Sequence, residues 1–250
     1  MQLPTLLVIE HSPTESAARL GDWLSEAGLL LDVRTPYDGS ALPRIRGFAG
    51  VLVLGGDMGA YDDERAPWLP ALRDLLRDAV AAQVPVLGVC LGGQLLAGAL
   101  GGRVEPGEEG PEIGPGLVAK RDVAADDALF GPVPFTPDVL QWHYDEIVSL
   151  PAGATLLASS VRYPNQAFRV GVNAWGLQFH IETTPELVRS WAESDRDRLT
   201  AAGRDVDALL ERWDLDTLHA DLAEVWQPFA RRFADVVRTH LQSTSQAARS

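Results

Sequence analysis

The sequence predicts an α/β fold with a mostly parallel sheet and helices on both faces, on three observations. Short apolar runs of buried-strand length recur at 6–9, 29–33, 51–54 and 86–90, punctuated by turn residues such as Pro36 and Gly55-Gly56. Segments with apolar residues at helical spacing separate them. The chain has 250 residues, 46% of them hydrophobic, enough for a sizeable core. Residues 1–250 therefore read as a single domain, with 185–250 as a helical C-terminal extension.

Leu6-Leu7-Val8-Ile9 forms the first strand, and His11-Ser12-Pro13-Thr14 supplies turn and cap residues for a helix over 17–27. After Pro67, the residues Leu69, Leu72, Leu75, Leu76, Ala79 and Val80 recur at helical spacing. Pro85 then introduces the strand 86–90, and a helix follows over 94–100. Beyond Gly102 the segments shorten, with Gly and Pro dense over 106–116, and the pieces 117–119 and 139–142 predict a small antiparallel addition. Runs at 154–158, 167–170 and 176–179 return the chain to the main sheet.

From 185 to 242 the pattern is helical. Leu218, Leu222, Val225, Phe229, Phe233, Val236, Val237 and Leu241 form an apolar face that is expected to pack on the chain's own core. Pro228 lacks an N–H and crowds the preceding turn, which predicts a kink or division there. Residues 243–250 are expected to fray.

The formal charge of −14 excludes the clustered Lys and Arg that a phosphate backbone requires, and it opposes adsorption to anionic lipid. No nucleic-acid or membrane partner is expected. No apolar stretch reaches the ~18 residues of a membrane span, and residues 1–10 carry no basic flank or small-residue cleavage site. The lone cysteine, Cys90, cannot form an intramolecular disulfide, which fits a cytoplasmic location. No Cys/His/Asp spacing suggests a metal site, and no cofactor is expected.

Gly88-Val89-Cys90-Leu91-Gly92-Gly93 ends an apolar strand and opens a helix, the setting of a nucleophile elbow. Small residues at 88 and 92 let strand and helix approach, and the turn pushes the thiol outward. A free thiol has a pKa of about 8.5, so a helix N-terminus and an imidazole are needed to raise the thiolate fraction. His180 is the candidate base. In Gln178-Phe179-His180-Ile181-Glu182, strand alternation places residues 180 and 182 on one side, so Glu182 can accept from the ring and fix its tautomer. Attack on an amide also creates an oxyanion, for which the backbone N–H groups of Leu91 and Gly56 are candidate donors. His11, His219 and His240 lack a comparable His-x-Glu strand.

Gly-Val-Cys-Leu-Gly-Gly-Gln followed far downstream by Gln-Phe-His-Ile-Glu resembles the class I, triad-type glutamine amidotransferases, within which the chain looks similar to stand-alone proteins like the glutaminase domain of GMP synthase. The resemblance runs over residues 1 to 190 and implies a flavodoxin-like sheet. It implies catalytic roles for Cys90, His180 and Glu182, places Gly55 and Gly56 in the oxyanion loop, and assigns substrate contacts to Gly55 and Gln94. Two departures stand out: Asp57 where the family often has proline, and Ile181 in place of the usual proline between His and Glu.

The expected substrate is glutamine or another γ-glutamyl compound, with glutaminase chemistry, γ-glutamyl amine hydrolysis and a non-catalytic regulatory role as alternatives. No G-x-x-x-x-G-K-[ST] loop is present, so ammonia, if used, would go to a separate synthetase chain. Trp142-His143-Tyr144-Asp145 reads as a packed strand edge, and the acidic residues Asp57, Asp62, Asp63 and Glu64 read as a solvated loop.

Overall fold

The computed structural model describes residues 3–247. Strand β1 (Thr5–Ile9), helix α1 (Ala18–Glu26), β2 (Leu30–Arg34), β3 (Gly50–Val53), α2 (Leu69–Ala81), β4 (Val86–Val89) and α3 (Leu91–Ala99) make the first half. Strands β5 (Arg103–Pro106), β6 (Glu112–Leu117), β7 (Ala119–Lys120), β8 (Asp138–His143), β9 (Asp145–Ser149), β10 (Thr155–Ser159), β11 (Ala167–Val170) and β12 (Ala174–Leu177) follow. Helices α4 (Pro185–Ser194), α5 (Arg196–Ala201), α6 (Val206–Arg212) and α7 (Leu215–Ala247) complete the described chain.

One eight-stranded sheet has the order β2-β1-β3-β4-β12-β11-β10-β7. Pairs from β2 to β12 are parallel, and β12, β11, β10 and β7 continue it as antiparallel neighbours. Two antiparallel ribbons, β5 with β9 and β6 with β8, stand beside it. Strand periodicity divides the core in two. Leu6, Val8, Leu52, Leu54, Leu87 and Val89 pack on the side of α1 and α7. Leu7, Ile9, Val51, Val53 and Val86 pack on the side of α2 and α3. The apolar runs are thus buried on both faces, as helix-covered parallel strands require.

Several local expectations are corrected. Ser12 and Thr14 do not cap α1; its N-cap, Ala17, has no side-chain cap, and the Glu10 carboxylate accepts the Ala17 N–H at 3.0 Å. Helix α3 begins at Leu91 rather than at 94, so Gly92 and Gly93 lie inside it. The strand β9 falls in a stretch that showed no separate strand signal. Residues 243–247 continue α7 rather than fray, while residues 248–250 lie outside the described part.

Pro228 does not divide α7, which runs unbroken across it. An internal proline costs about 3 kcal/mol, and the neighbouring Trp226, Phe229, Ala230 and Phe233, all buried, supply packing that offsets this. Leu218, Leu222 and Val237 belong to the same core, so the helix packs on its own chain.

Candidate active site

Cys90 occupies the turn between β4 and α3 with φ of 51° and ψ of −109°, a conformation that non-glycine residues avoid. Holding it costs of order 1–3 kcal/mol. Its surroundings enforce it: the Cys90 N–H donates to the Leu177 carbonyl at 2.8 Å, and the Cys90 carbonyl receives the Gln94 N–H at 3.0 Å. The turn is as tight as the glycines suggested. A Cβ on Gly88 would stand 2.4 Å from the Gly92 carbonyl oxygen, and one on Gly92 would stand 2.1 Å from that of Val53.

His180 follows β12 and is held by a bridge to β8, its N–H donating to the Leu140 carbonyl at 2.8 Å. Its Nδ1 donates to Glu182 Oε1 at 2.6 Å, and the Ile181 N–H donates to Glu182 Oε2 at 2.9 Å. Trp191 of α4 packs edge-on against the ring, 4.7 Å between centroids. Burial alone would lower the His180 pKa, but the charges of Glu182 and Cys90, with hydrogen bonds to both side chains, hold it well above the ordinary histidine value. Cys90 Sγ and His180 Nε2 converge on the Trp142 carbonyl oxygen, at 3.8 and 3.4 Å.

The oxyanion candidates lie side by side. A Cβ on Gly56 would be 2.6 Å from Leu91 Cδ2 and 2.6 Å from Met58 Sδ, so a side chain there requires both of these to shift. Among the described residues, neither the Gly56 nor the Leu91 N–H donates to a backbone carbonyl. Gly55 does not line the cavity; it sits beneath it, where a Cβ would press on Glu15 Oε2 at 2.9 Å, His180 Cε1 at 3.2 Å and Cys90 Cβ at 3.7 Å. Gln94 does line it, its Nε2 donating to the Asp145 carbonyl at 3.3 Å and to Gln178 Oε1 at 3.2 Å.

Cys90, His180, Gly56 and Gln94 thus share one cavity of about 670 Å³. Its wall also includes groups that the sequence reading set aside: His143, Tyr144, Asp145, Asp57 and Asp62. The strand edge is packed as expected, with His143 buried, and Asp57 and Asp62 are exposed as expected of a solvated loop; both segments also wall the cavity. His143 is nonetheless occupied, Nδ1 with the Asp145 carbonyl at 2.9 Å and Nε2 with Glu112 at 3.0 Å. Asp145 has its pKa raised by burial, with Arg198 opposing that shift.

Gln178, Trp191, Asp195 and Arg198 were not anticipated. Gln178 Nε2 lies 3.9 Å from Cys90 Sγ, and its place two residues before His180 was the signal available in the sequence. Asp195 accepts from Trp142 Nε1 at 2.9 Å and Tyr144 Oη at 3.1 Å, and the Arg198 guanidinium lies over the Tyr144 ring. Trp191, Asp195 and Arg198 come from the segment expected to be a helical extension, where no local pattern marked them.

The glutamine amidotransferase class-I profile matches residues 25–190. The chain belongs to this family. GMP synthase (glutamine-hydrolyzing) of Thermomicrobium roseum is 38% identical over 149 residues, covering 59% of this chain and 26% of that protein. The chain therefore spans about a quarter of the length of that relative. Gamma-glutamyl peptidase 4 of Arabidopsis thaliana is 28% identical over 190 residues, covering 74% of this chain and 73% of the relative. A glutamine amidotransferase structure from Thermotoga maritima superposes with a TM-score of 0.82 at 32% identity, covering 94% of this chain and 99% of the other. The fold shared with that structure therefore extends beyond the matched profile.

Proposed function

We propose that this class I amidotransferase-family chain is a cysteine amidohydrolase that cleaves the γ-amide of glutamine or of a related γ-glutamyl compound. The observation carrying this reading is a strained Cys90 that opens α3 and shares one cavity with a buried His180–Glu182 pair. The Cys90 thiolate attacks the amide carbonyl, forming an S–C bond and placing the carbonyl electrons on oxygen, where the Gly56 and Leu91 N–H groups receive the charge. As the C–N bond breaks, His180 passes its proton to the leaving nitrogen. Water then attacks the γ-glutamyl thioester while His180 takes its proton, the C–S bond breaks, and glutamate leaves with the thiolate restored. Residues 1–250 act as one unit in this reading, because α4 and α5 complete the wall.

A γ-glutamyl amine or peptide substrate is the second reading. The cavity volume exceeds the needs of a primary amide, and Gamma-glutamyl peptidase 4 aligns over most of its own length, whereas the GMP synthase aligns over a quarter. If ammonia from glutamine is instead put to use, a synthetase unit outside residues 1–250 receives it. Incubation with glutamine and a panel of γ-glutamyl amides, beside a Cys90→Ala control, separates these readings. Glutamate release that the control lacks is the expected result. Release that survives the substitution, or none on any substrate, overturns the autonomous hydrolase.

A further inference from the structure

The hydrolytic reading gives no task to the carboxyl of Glu15. Glu15 lies in the loop between β1 and α1 and lines the cavity, partly buried. Its Oε2, the His180 ring edge and Cys90 Cβ all meet over Gly55, each within 4 Å of the space a Cβ would fill there. The charged groups facing it are His180, Glu182, Asp57 and Asp195.

The other three carboxylates are all engaged. Glu182 accepts from His180 and the Ile181 N–H, Asp57 is paired with Arg65, and Asp195 accepts from Trp142 and Tyr144. Among the described residues, no hydrogen bond or ion pair engages the Glu15 carboxyl. A partly buried carboxylate crowded by other carboxylates gains when an incoming cation pairs with it.

We propose that Glu15 selects γ-glutamyl substrates whose leaving amine carries a second, cationic nitrogen. This rests on the hydrolytic reading above. With the γ-carbon at Cys90 and the leaving nitrogen facing His180, the substituent on that nitrogen continues past the ring edge that Glu15 flanks. A cation there gains an ion pair, a neutral alkyl chain gains none, and an anion meets Glu15, Asp57 and Asp195. The cavity wall as a whole carries six carboxylates, Glu15, Asp57, Asp62, Glu105, Asp145 and Asp195, against the guanidiniums of Arg65 and Arg198. Burial first, and then the surrounding carboxylates, push the Glu15 pKa up to about 8, His180 opposing them. At pH 7 the incoming ammonium therefore displaces the Glu15 proton to solvent as the ion pair forms.

The test compares the γ-glutamyl amides of 1,4-diaminobutane and of n-pentylamine, similar in length, on the wild type and on Glu15→Gln. The wild type is expected to favour the diamine amide in kcat/KM by about tenfold or more, the scale of a desolvated charge pair. That ratio should grow from pH 6.5 to 8.5 and fall to about one in Glu15→Gln. A wild-type ratio near one, or equal losses on both amides in Glu15→Gln, overturns the assignment. If neither amide nor glutamine is cleaved, the hydrolytic reading fails on its own. Calorimetry on Cys90→Ala then decides the selectivity. Tighter binding of the diamine amide with proton release at pH 7, lost in Cys90→Ala/Glu15→Gln, supports it, and equal affinities reject it.

Discussion

Glu182 holds His180 by a 2.6 Å contact from Oε1 to Nδ1, while its Oε2 is taken by the Ile181 N–H, so one buried carboxylate orients the ring and has both oxygens satisfied. It is also the larger of the two charges that raise the His180 pKa. Glu182→Gln preserves the shape and removes the charge. The expected result is a fall in kcat of about 10²–10⁴-fold, the usual scale of a lost acid–base arrangement. Because the raised His180 pKa is then reduced, the ring loses its proton at lower pH. The alkaline limb of the kcat profile should move toward acid, which a pH–rate series reads directly.

Gly56 and Leu91 share van der Waals space at the mouth of the elbow. A methyl group at position 56 must displace Leu91 Cδ2 and Met58 Sδ and crowds the space beside the Gly56 N–H. Gly56→Ala should lower kcat by about 10²-fold, the cost of one oxyanion donor, with little change in KM. A matching rise in KM with kcat intact would assign the glycine to substrate binding instead.

His11 makes stability depend on pH. Burial lowers its pKa to about 4, and Trp68 Nε1 donates to its Nδ1 at 3.0 Å, which requires that nitrogen unprotonated. The unfolded chain binds the proton near pH 6.5 and the folded chain only near 4, so this contribution is whole above 6.5 and is lost as pH falls toward 4. Urea unfolding at pH 7 and pH 5 should show a loss of about 2 kcal/mol from this group. His11→Gln, which titrates nowhere in that range, should flatten the difference.

Trp226 is fully buried in α7 against Phe130, Phe179 and Phe229, and its Nε1 donates to the Asp138 carbonyl at 2.9 Å. Trp226→Ala should cost about 3–5 kcal/mol in denaturant unfolding. A cost near zero would make α7 a dispensable appendage rather than a wall of the core.

Features written in short stretches of chain were legible in the sequence. The run at 6–9 is a strand as its apolar pattern predicts, and the His-x-Glu spacing pairs Glu182 with His180, although the pair forms in a bent segment after β12 rather than in the expected strand. The glycines around Cys90 announced the elbow, because Gly88 and Gly92 must let two backbones approach whatever else the protein does. Caps and ends were read less well. Glu10, seven residues away, satisfies the Ala17 N–H, and packing carries α7 through Pro228 against its local preference.

Only the tertiary structure decided which residues share the cavity with Cys90. Glu15, the Trp142 carbonyl, Trp191, Asp195 and Arg198 come from one early loop, an antiparallel ribbon and two late helices, and nothing in their own neighbourhoods marks them. The chain has 35 acidic residues, and composition cannot tell which of them lose their water. Folding does so by setting Glu15 partly buried beside His180 while Asp57 and Asp195 keep partners, and a carboxylate's chemistry depends on those surroundings more than on its place in the sequence.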